Sequence, residues 1–221
     1  MSGSSLQTSG AGVQTSEDPR ELSPRMFRNP LLEIASRVHP AVPPLLYLPV
    51  VALCLVRAVD HHGLGVAPVA GVFVLGLGAW TFAEYILHRF VFHFQPDTRW
   101  GRRLHFIIHG VHHDYPHDPM RLVMPPSVSI PLAILMFLGF RALLGPAWSL
   151  PFFAGFLVGY LVYDMTHYHI HHHRSTNKLS LAVRRYHYRH HFQQSSRGFG
   201  VTSPLWDRVF RTSPFRRRRA A

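Results

Sequence analysis

At 221 residues the chain is long enough for one domain, or for one domain with a tail, and 47% of it is hydrophobic. A net charge of +12 on so apolar a chain is unusual for a soluble globule, and every basic residue except Lys178 is arginine. The single cysteine, Cys54, excludes an intrachain disulfide and a cysteine-based zinc finger. The first 25 residues lack the basic start and apolar core of a signal peptide.

Before the first apolar run, the sequence predicts two short segments, a tail and a lead-in to the membrane. Residues 1–24 are rich in Ser, Gly, Thr and Gln, which predicts a disordered cytosolic tail. Residues 25–40 form a lead-in, and 25–37 within it predicts a helix. That helix is either amphipathic on the membrane surface or an ordinary lead-in helix. A membrane domain at 41–213 and a basic tail at 214–221 follow.

Four apolar runs predict membrane-spanning helices, at 42–59, 66–93, 128–144 and 148–164. About 20 helical residues, at about 1.5 Å each, cross a hydrocarbon core of about 30 Å. The last two runs are joined by a Gly-Pro turn, so they also fit a hairpin that dips into the membrane and returns. The expected fold is therefore an all-α integral membrane protein with about four spanning helices and a cytosolic helical cap.

If all four segments cross, two of these helices end in histidines on the same side of the membrane. Counting residues along each helix places His88 at the exit of the second helix, and His167 and His171 at the exit of the fourth. Glu84 lies about one turn inside the lipid, where an unpaired carboxylate is costly. It is therefore a candidate for a functional or ligand-supporting role.

The distribution of basic residues predicts the orientation. All of them except Arg57 and Arg141 fall on the side that holds these histidines and both termini. The positive-inside bias makes that side cytoplasmic, and the arginine-rich composition favours a bacterial inner membrane, or the endoplasmic reticulum in a eukaryote. Arginines 216–219 are expected to contact anionic headgroups. No motif or aromatic-interleaved basic surface supports nucleic-acid binding.

Histidine is concentrated in part of the chain, with 15 of the 18 between His88 and His191. Residues four apart share a helical face, and in His-x-x-His-His the positions i, i+3 and i+4 lie on one stripe. Imidazole suits Fe, Zn, Cu and Ni. Two ions with about five nitrogens each, leaving a position open, account for ten rings. The ten candidate ligands are His88, His93, His109, His112, His113, His167, His171, His187, His190 and His191.

The positions of the individual rings leave one question open. His88 and His93 are about 140° apart around a regular helix, so they either serve different metals or straddle the helix end. The remaining histidines are interpreted as ordinary surface residues or as residues on other faces. They are His39, His61, His62, His105, His117, His169, His172 and His173.

The order His-x4-His, His-x2-His-His, His-x3-His, His-x2-His-His resembles the membrane fatty acid hydroxylase superfamily, which also contains sterol desaturases. The resemblance is strongest to fatty acid 2-hydroxylases and covers about 66–210. Besides the histidine motifs, it is carried by RLVMPP at 121–126, YDMTHY at 163–168, GFGVTS at 198–203 and Trp206-Asp207. It implies a dinuclear iron centre on the ten histidines, which zinc can occupy in isolated protein, with O2 as co-substrate.

The resemblance also implies hydroxylation of a lipid acyl chain at the carbon next to the carbonyl. Asp164, one turn before His167, is the candidate catalytic residue because it can hydrogen-bond a ligand ring and fix its tautomer; the alternative is an ordinary helix-end residue. Many eukaryotic members carry a cytochrome b5 domain before the membrane part. Here a short tail takes that place, so we expect a separate electron donor, either cytochrome b5-like or a ferredoxin.

The same residues leave two other functions open. One is a sterol or carotenoid hydroxylase, or a desaturase, of the same superfamily. The other is a non-enzymatic metal-binding membrane protein. A transporter predicts histidines or acids along a path inside the spans, and only Glu84 lies there.

Overall fold

The computed structural model describes residues 22–215, and every regular element in this range is a helix, which confirms the all-α prediction. Most of the predicted tails, 1–24 and 214–221, lies outside the described residues. The helices are α1 (Pro30–Ala35), α2 (Val42–Val56), α3 (Val66–Ile86), α4 (Arg99–His105), α5 (Val111–Asp114), α6 (Pro126–His172), α7 (Lys178–Phe192) and α8 (Leu205–Val209).

Three helical stretches in the described range are long and apolar enough to cross a membrane. They are Val42–His61, Val66–Phe92 and Pro126–His172. The first two extend α2 and α3 through short π-helical segments at their C-terminal ends. The third contains both of the last two predicted apolar runs, so the membrane-spanning character of the chain is confirmed.

Within α6 the chain reverses direction at Gly145. This residue has φ 76° and ψ 173°, a left-handed conformation that glycine adopts without steric cost. The Phe137 and Phe153 rings on either side of it are 5.1 Å apart, whereas a straight helix would separate these positions by about 24 Å. The arms 126–144 and 146–172 are therefore antiparallel, as the Gly-Pro turn predicts.

The second arm of α6 packs against α3 through glycines, and the two helices run parallel, because Gly76 lies against residues 152–156 and Trp80, one turn later, against Gly159. An added Cβ at Gly76 would overlap the carbonyl oxygen of Phe152, and one at Gly155 would overlap that of Phe73. Small residues let membrane helices approach to backbone contact in this way. Because the two helices run parallel, their C-terminal ends emerge together.

The N-terminal segment is fastened to the loop before α6. The Ser23 hydroxyl donates to Asp118 at 2.5 Å, and Arg121 is paired with Glu33. Ser23 is buried, so the packed chain begins within the predicted tail rather than at residue 25. Helix α1 is shorter than the predicted 25–37, and none of its residues is buried.

Gly155→Ala is expected to lower the melting temperature of the detergent-solubilised protein, because overpacking a tight contact costs about 1–3 kcal/mol. Gly139→Ala is the matched control, since a Cβ there meets nothing within 4 Å. Differential scanning fluorimetry compares the two variants. Equal melting temperatures would show that the glycine contact between α3 and α6 is not tight.

Candidate metal centre

The first two candidate ligands lie where α3 widens into a π-helical segment, Leu87–Phe92. The His93 N–H donates to the His88 carbonyl at 3.2 Å, the i to i+5 bond of a π turn. This turn brings the two rings together, with their Nε2 atoms 3.3 Å apart. Of the two arrangements left open by the sequence, the structure shows the pair straddling the helix end.

The second histidine motif divides its rings between two directions. It begins in the π-helical segment Phe106–Gly110 and continues into α5. The Nε2 atoms of His109 and His113 are 3.1 Å apart, whereas that of His112 is 3.1 Å from the Nε2 of His191 on α7. The rings of His109 and His113, at positions i and i+4, thus lie together, whereas the ring of His112, at i+3, lies beside a different set of histidines.

Helix α7 divides its rings in the same way. The Nε2 of His187 is 2.9 Å from that of His167 and 3.0 Å from that of His171. The Nε2 of His190 instead lies 2.9 Å from that of His93. Helix α7 therefore joins the histidines at the end of α6 to those at the end of α3.

All ten predicted ligands are brought together in two groups of five. The first histidine group is His88, His93, His109, His113 and His190, and the second is His112, His167, His171, His187 and His191. In each group, one nitrogen from every ring lies within 4.8 Å of the others. Among residues 22–215, the eight other histidines belong to neither group.

Burial and neighbouring imidazoles keep these rings neutral. Burial first, then nearby rings, lowers the pKa of His113 to about 2 and that of His93 to about 3. The same causes hold the pKa values of His109 and His187 well below their usual range. A neutral imidazole offers a lone pair, so each group fits a metal that accepts nitrogen ligands.

Backbone carbonyls orient two of the rings. His88 donates from Nδ1 to the Phe199 carbonyl at 2.6 Å, and His190 donates from Nδ1 to the Arg197 carbonyl at 2.8 Å. With Nδ1 protonated, the lone pair is on Nε2, the atom that faces the group. Such partners fix the tautomer and orientation of metal-binding histidines.

Two buried carboxylates hold the loop that carries Phe199. Glu84, 3% exposed, accepts from the Thr202 N–H at 2.9 Å and also from the Val201 N–H. Asp207, fully buried, accepts from the Phe199 N–H at 3.1 Å. The contacts support a ligand-supporting role for Glu84. No role for Asp207 was predicted from the sequence. The one sign that it matters was its position in the Trp206-Asp207 pair, which is part of the family resemblance.

Asp164 is buried one turn before His167, at the predicted position. Between residues 22 and 215, no hydrogen bond joins its carboxylate to a candidate ligand ring, and its Oδ2 has no partner. The proposed fixing of a ligand tautomer by Asp164 therefore stays a prediction.

The fold and the two groups define an all-helical integral membrane protein with a histidine-rich candidate dimetal centre. The chain belongs to the fatty acid hydroxylase family, which matches residues 73–212. It is 39% identical over 191 residues to dihydroceramide fatty acyl 2-hydroxylase FAH1 of Arabidopsis thaliana, covering 86% of this chain and 80% of that one.

Two further comparisons agree. Human fatty acid 2-hydroxylase is 40% identical over 147 residues, which cover 64% of this chain and 39% of the human protein. The visible hydroxylase domain in a structure of full-length scs7p superposes with a TM-score of 0.79 at 37% identity, covering 86% of this chain and 72% of that one.

Metal analysis of the purified protein is expected to give two ions per chain, one for each histidine group. His109→Ala and His187→Ala each remove a central ring, so each variant is expected to retain at most one tightly bound ion. His61→Ala, an exposed ring outside both groups, serves as the control and keeps both. Inductively coupled plasma mass spectrometry measures the ratio, and equal metal loss in all three variants would contradict the ligand assignment.

Glu84→Gln is expected to weaken metal binding by up to about 10-fold, the low end of the cost of losing a group that directly orients a ligand, because Glu84 acts on His88 only through the loop. The amide offers one acceptor where the carboxylate accepts from two backbone N–H groups and the Thr202 hydroxyl. Competition with a chelator measures the affinity. Asp97→Asn, at an exposed position, is the control, and a Glu84 variant with unchanged affinity would refute the link through the loop.

Proposed function

We propose that the protein is a membrane monooxygenase that hydroxylates lipid acyl chains at C2, with two iron ions in the histidine groups and O2 as co-substrate. The observation that carries the proposal is the convergence of ten imidazoles into two groups of five in a chain of the fatty acid hydroxylase family. The names of its relatives, which include fatty acyl and fatty acid 2-hydroxylases, support the position of attack.

The donor set supports iron. Each group supplies five imidazole nitrogens and contains no thiolate or carboxylate. Five nitrogens leave one position of a six-coordinate ion free for oxygen, and imidazole binds iron well. Zinc binds the same donors, so protein isolated without iron is expected to carry zinc.

An apolar cavity beneath the first histidine group supports an acyl-chain substrate. Its volume is about 190 Å³, and its walls include Leu87, next to His88, and Met124. Tyr160, about 10 Å before His167 along α6, lines the same cavity. An acyl chain placed here would gain about 0.8 kcal/mol for each buried CH2, with its carbonyl end directed toward the histidines.

The residues of the chain divide the remaining tasks. When bound, the iron pair supplies the activation of O2 and the removal of hydrogen from carbon. Seven of the rings are buried, so they would keep the ions away from bulk water. The carbonyls of Phe199 and Arg197 orient His88 and His190. Asp164, buried one turn before His167, is the candidate for fixing the tautomer of a ligand ring. The overall reaction turns one C–H bond, O2, two electrons and two protons into one hydroxyl and one water.

We also propose an orientation of the protein in the membrane. The basic residues support placing the histidine groups on the cytoplasmic side. Electrons would then come from a cytoplasmic carrier, cytochrome b5-like or a ferredoxin. The membrane would be a bacterial inner membrane, or the endoplasmic reticulum in a eukaryote.

Expression of the gene in a host that lacks 2-hydroxy lipids is expected to produce 2-hydroxy acyl chains, detected by mass spectrometry of hydrolysed lipids. His109→Ala should abolish the product and His61→Ala should leave it unchanged. Hydroxylated sterols or carotenoids, or new double bonds, would instead indicate another activity of the superfamily. If the protein binds zinc tightly and, after loading with iron, gives neither product nor O2 uptake, it is a non-enzymatic metal-binding protein.

A further inference from the structure

A groove between α7 and the segment 197–215 is lined by arginines. We call them the arginine patch, and they are Arg184, Arg185, Arg189, Arg197, Arg208 and Arg211. Asp207 is the acidic residue in the described lining, but it is fully buried and accepts from the N–H groups of Phe199 and Gly200. It therefore does not offset the surface charge of the groove.

Neutral partners hold several of these cations in place. The Arg189 guanidinium lies over the Phe215 ring at 4.1 Å, and Arg184 lies over Tyr188 at 4.8 Å. Arg197 donates to the Ser213 carbonyl at 3.2 Å. Stacking and carbonyl contacts of this kind position a guanidinium without cancelling its charge. The patch is thus an ordered positive surface.

The centre of the patch faces away from the membrane. The ligand rings of α7, such as His187 and His191, point toward the ends of α3 and α6, which continue into the membrane spans. On a regular helix Arg185 and Arg189 lie between about 160° and 200° from His187, on the opposite face. Phe192, on the same outer face, is 57% exposed. A partner for this face comes from the aqueous side.

The patch is also close to the metal groups. The helix between them is about 10 Å across. The carbonyl of Arg197, a patch residue, accepts the Nδ1–H of the candidate ligand His190 at 2.8 Å. A single hydrogen bond therefore links the backbone of the patch to the first histidine group.

We propose that the arginine patch docks an acidic one-electron carrier protein, which supplies the two electrons of the hydroxylation through α7. The inference rests on the proposed function, which consumes those electrons. Each docking event oxidises the carrier by one electron, so two events, with O2 and two protons, give one hydroxyl and one water. Arginine and exposed aromatic residues are typical of protein interfaces, and charge complementarity speeds such encounters.

The test uses the full iron-loaded chain in phosphatidylcholine nanodiscs. The electron donor is the acidic soluble haem domain of cytochrome b5, with its reductase and NADH, and a [2Fe–2S] ferredoxin with its own reductase is run in parallel. The variant is Arg185→Glu/Arg189→Glu. Its matched control is Arg28→Glu/Arg99→Glu, which makes the same charge change at exposed positions of the N-terminal segment and α4.

The patch variant is expected to raise the KM for at least one of the donors by about tenfold or more, since like charges at an interface repel. Product formed with dithionite as reductant should stay unchanged, as should the metal content. Added salt should also raise the KM of the wild-type protein for the donor, because it screens the attraction between the charges. The control variant should keep the wild-type KM. If the double variant loses metal, Arg185→Glu alone is tested, because within residues 22–215 this exposed side chain bonds only to the Leu181 carbonyl of its own helix.

Three outcomes would overturn the proposal. An unchanged KM for both donors would show that docking lies elsewhere. A defect that appears only in nanodiscs containing phosphatidylserine, and with dithionite as well, would assign the patch to lipid headgroups. A wild-type protein that makes no product with dithionite or with either donor would refute the proposed function, and this inference with it.

Discussion

Each His-x-x-His-His motif contributes rings to both histidine groups, so the two groups share the same supporting segments. His112 belongs to the second group, whereas His109 and His113 of the same motif belong to the first. On α7 the assignment is reversed, because His190 belongs to the first group and the other two rings to the second. The ends of α3 and α6, the α5 segment and α7 are therefore held by one shared centre. Seven of the ten rings are buried and three are half-buried, and neither group contains an acidic side chain. Bound metal is therefore expected to stabilise the cap as well as to react.

The membrane half of the protein provides the alignment that this centre requires. Backbone contact at Gly76 and Gly155 fixes the axial register of α3 against the second arm of α6. A shift of one residue along this contact would move His88 by about 1.5 Å relative to His167, about three times the ~0.5 Å within which such a site must be held. Glu84 continues this alignment toward the histidines, because it joins the C-terminal end of α3 to the loop whose Phe199 carbonyl orients His88.

Much of this was predictable from the sequence, and the remainder has physical reasons. The ten candidate ligands, the apolar runs and the turn at Gly145 follow from spacing, length and residue type. The division of the ten rings into two groups could not be predicted in this way. His88 and His93 join the same group only because a π turn, absent from a regular helix, brings their rings together. The support of His88 by Phe199 joins residues 111 positions apart, and such contacts leave no local pattern. The burial of Ser23 depends likewise on distant Asp118.

Isotope labelling of the product tests the central claim most directly. The iron-loaded protein is given a reductant, an acyl lipid and 18O2 in ordinary water, and the hydroxy lipid is analysed by mass spectrometry. If the histidine groups activate O2, the product carries one 18O atom in a hydroxyl at C2. Product labelled only in 18O-enriched water, or no product despite two bound ions, would contradict the account.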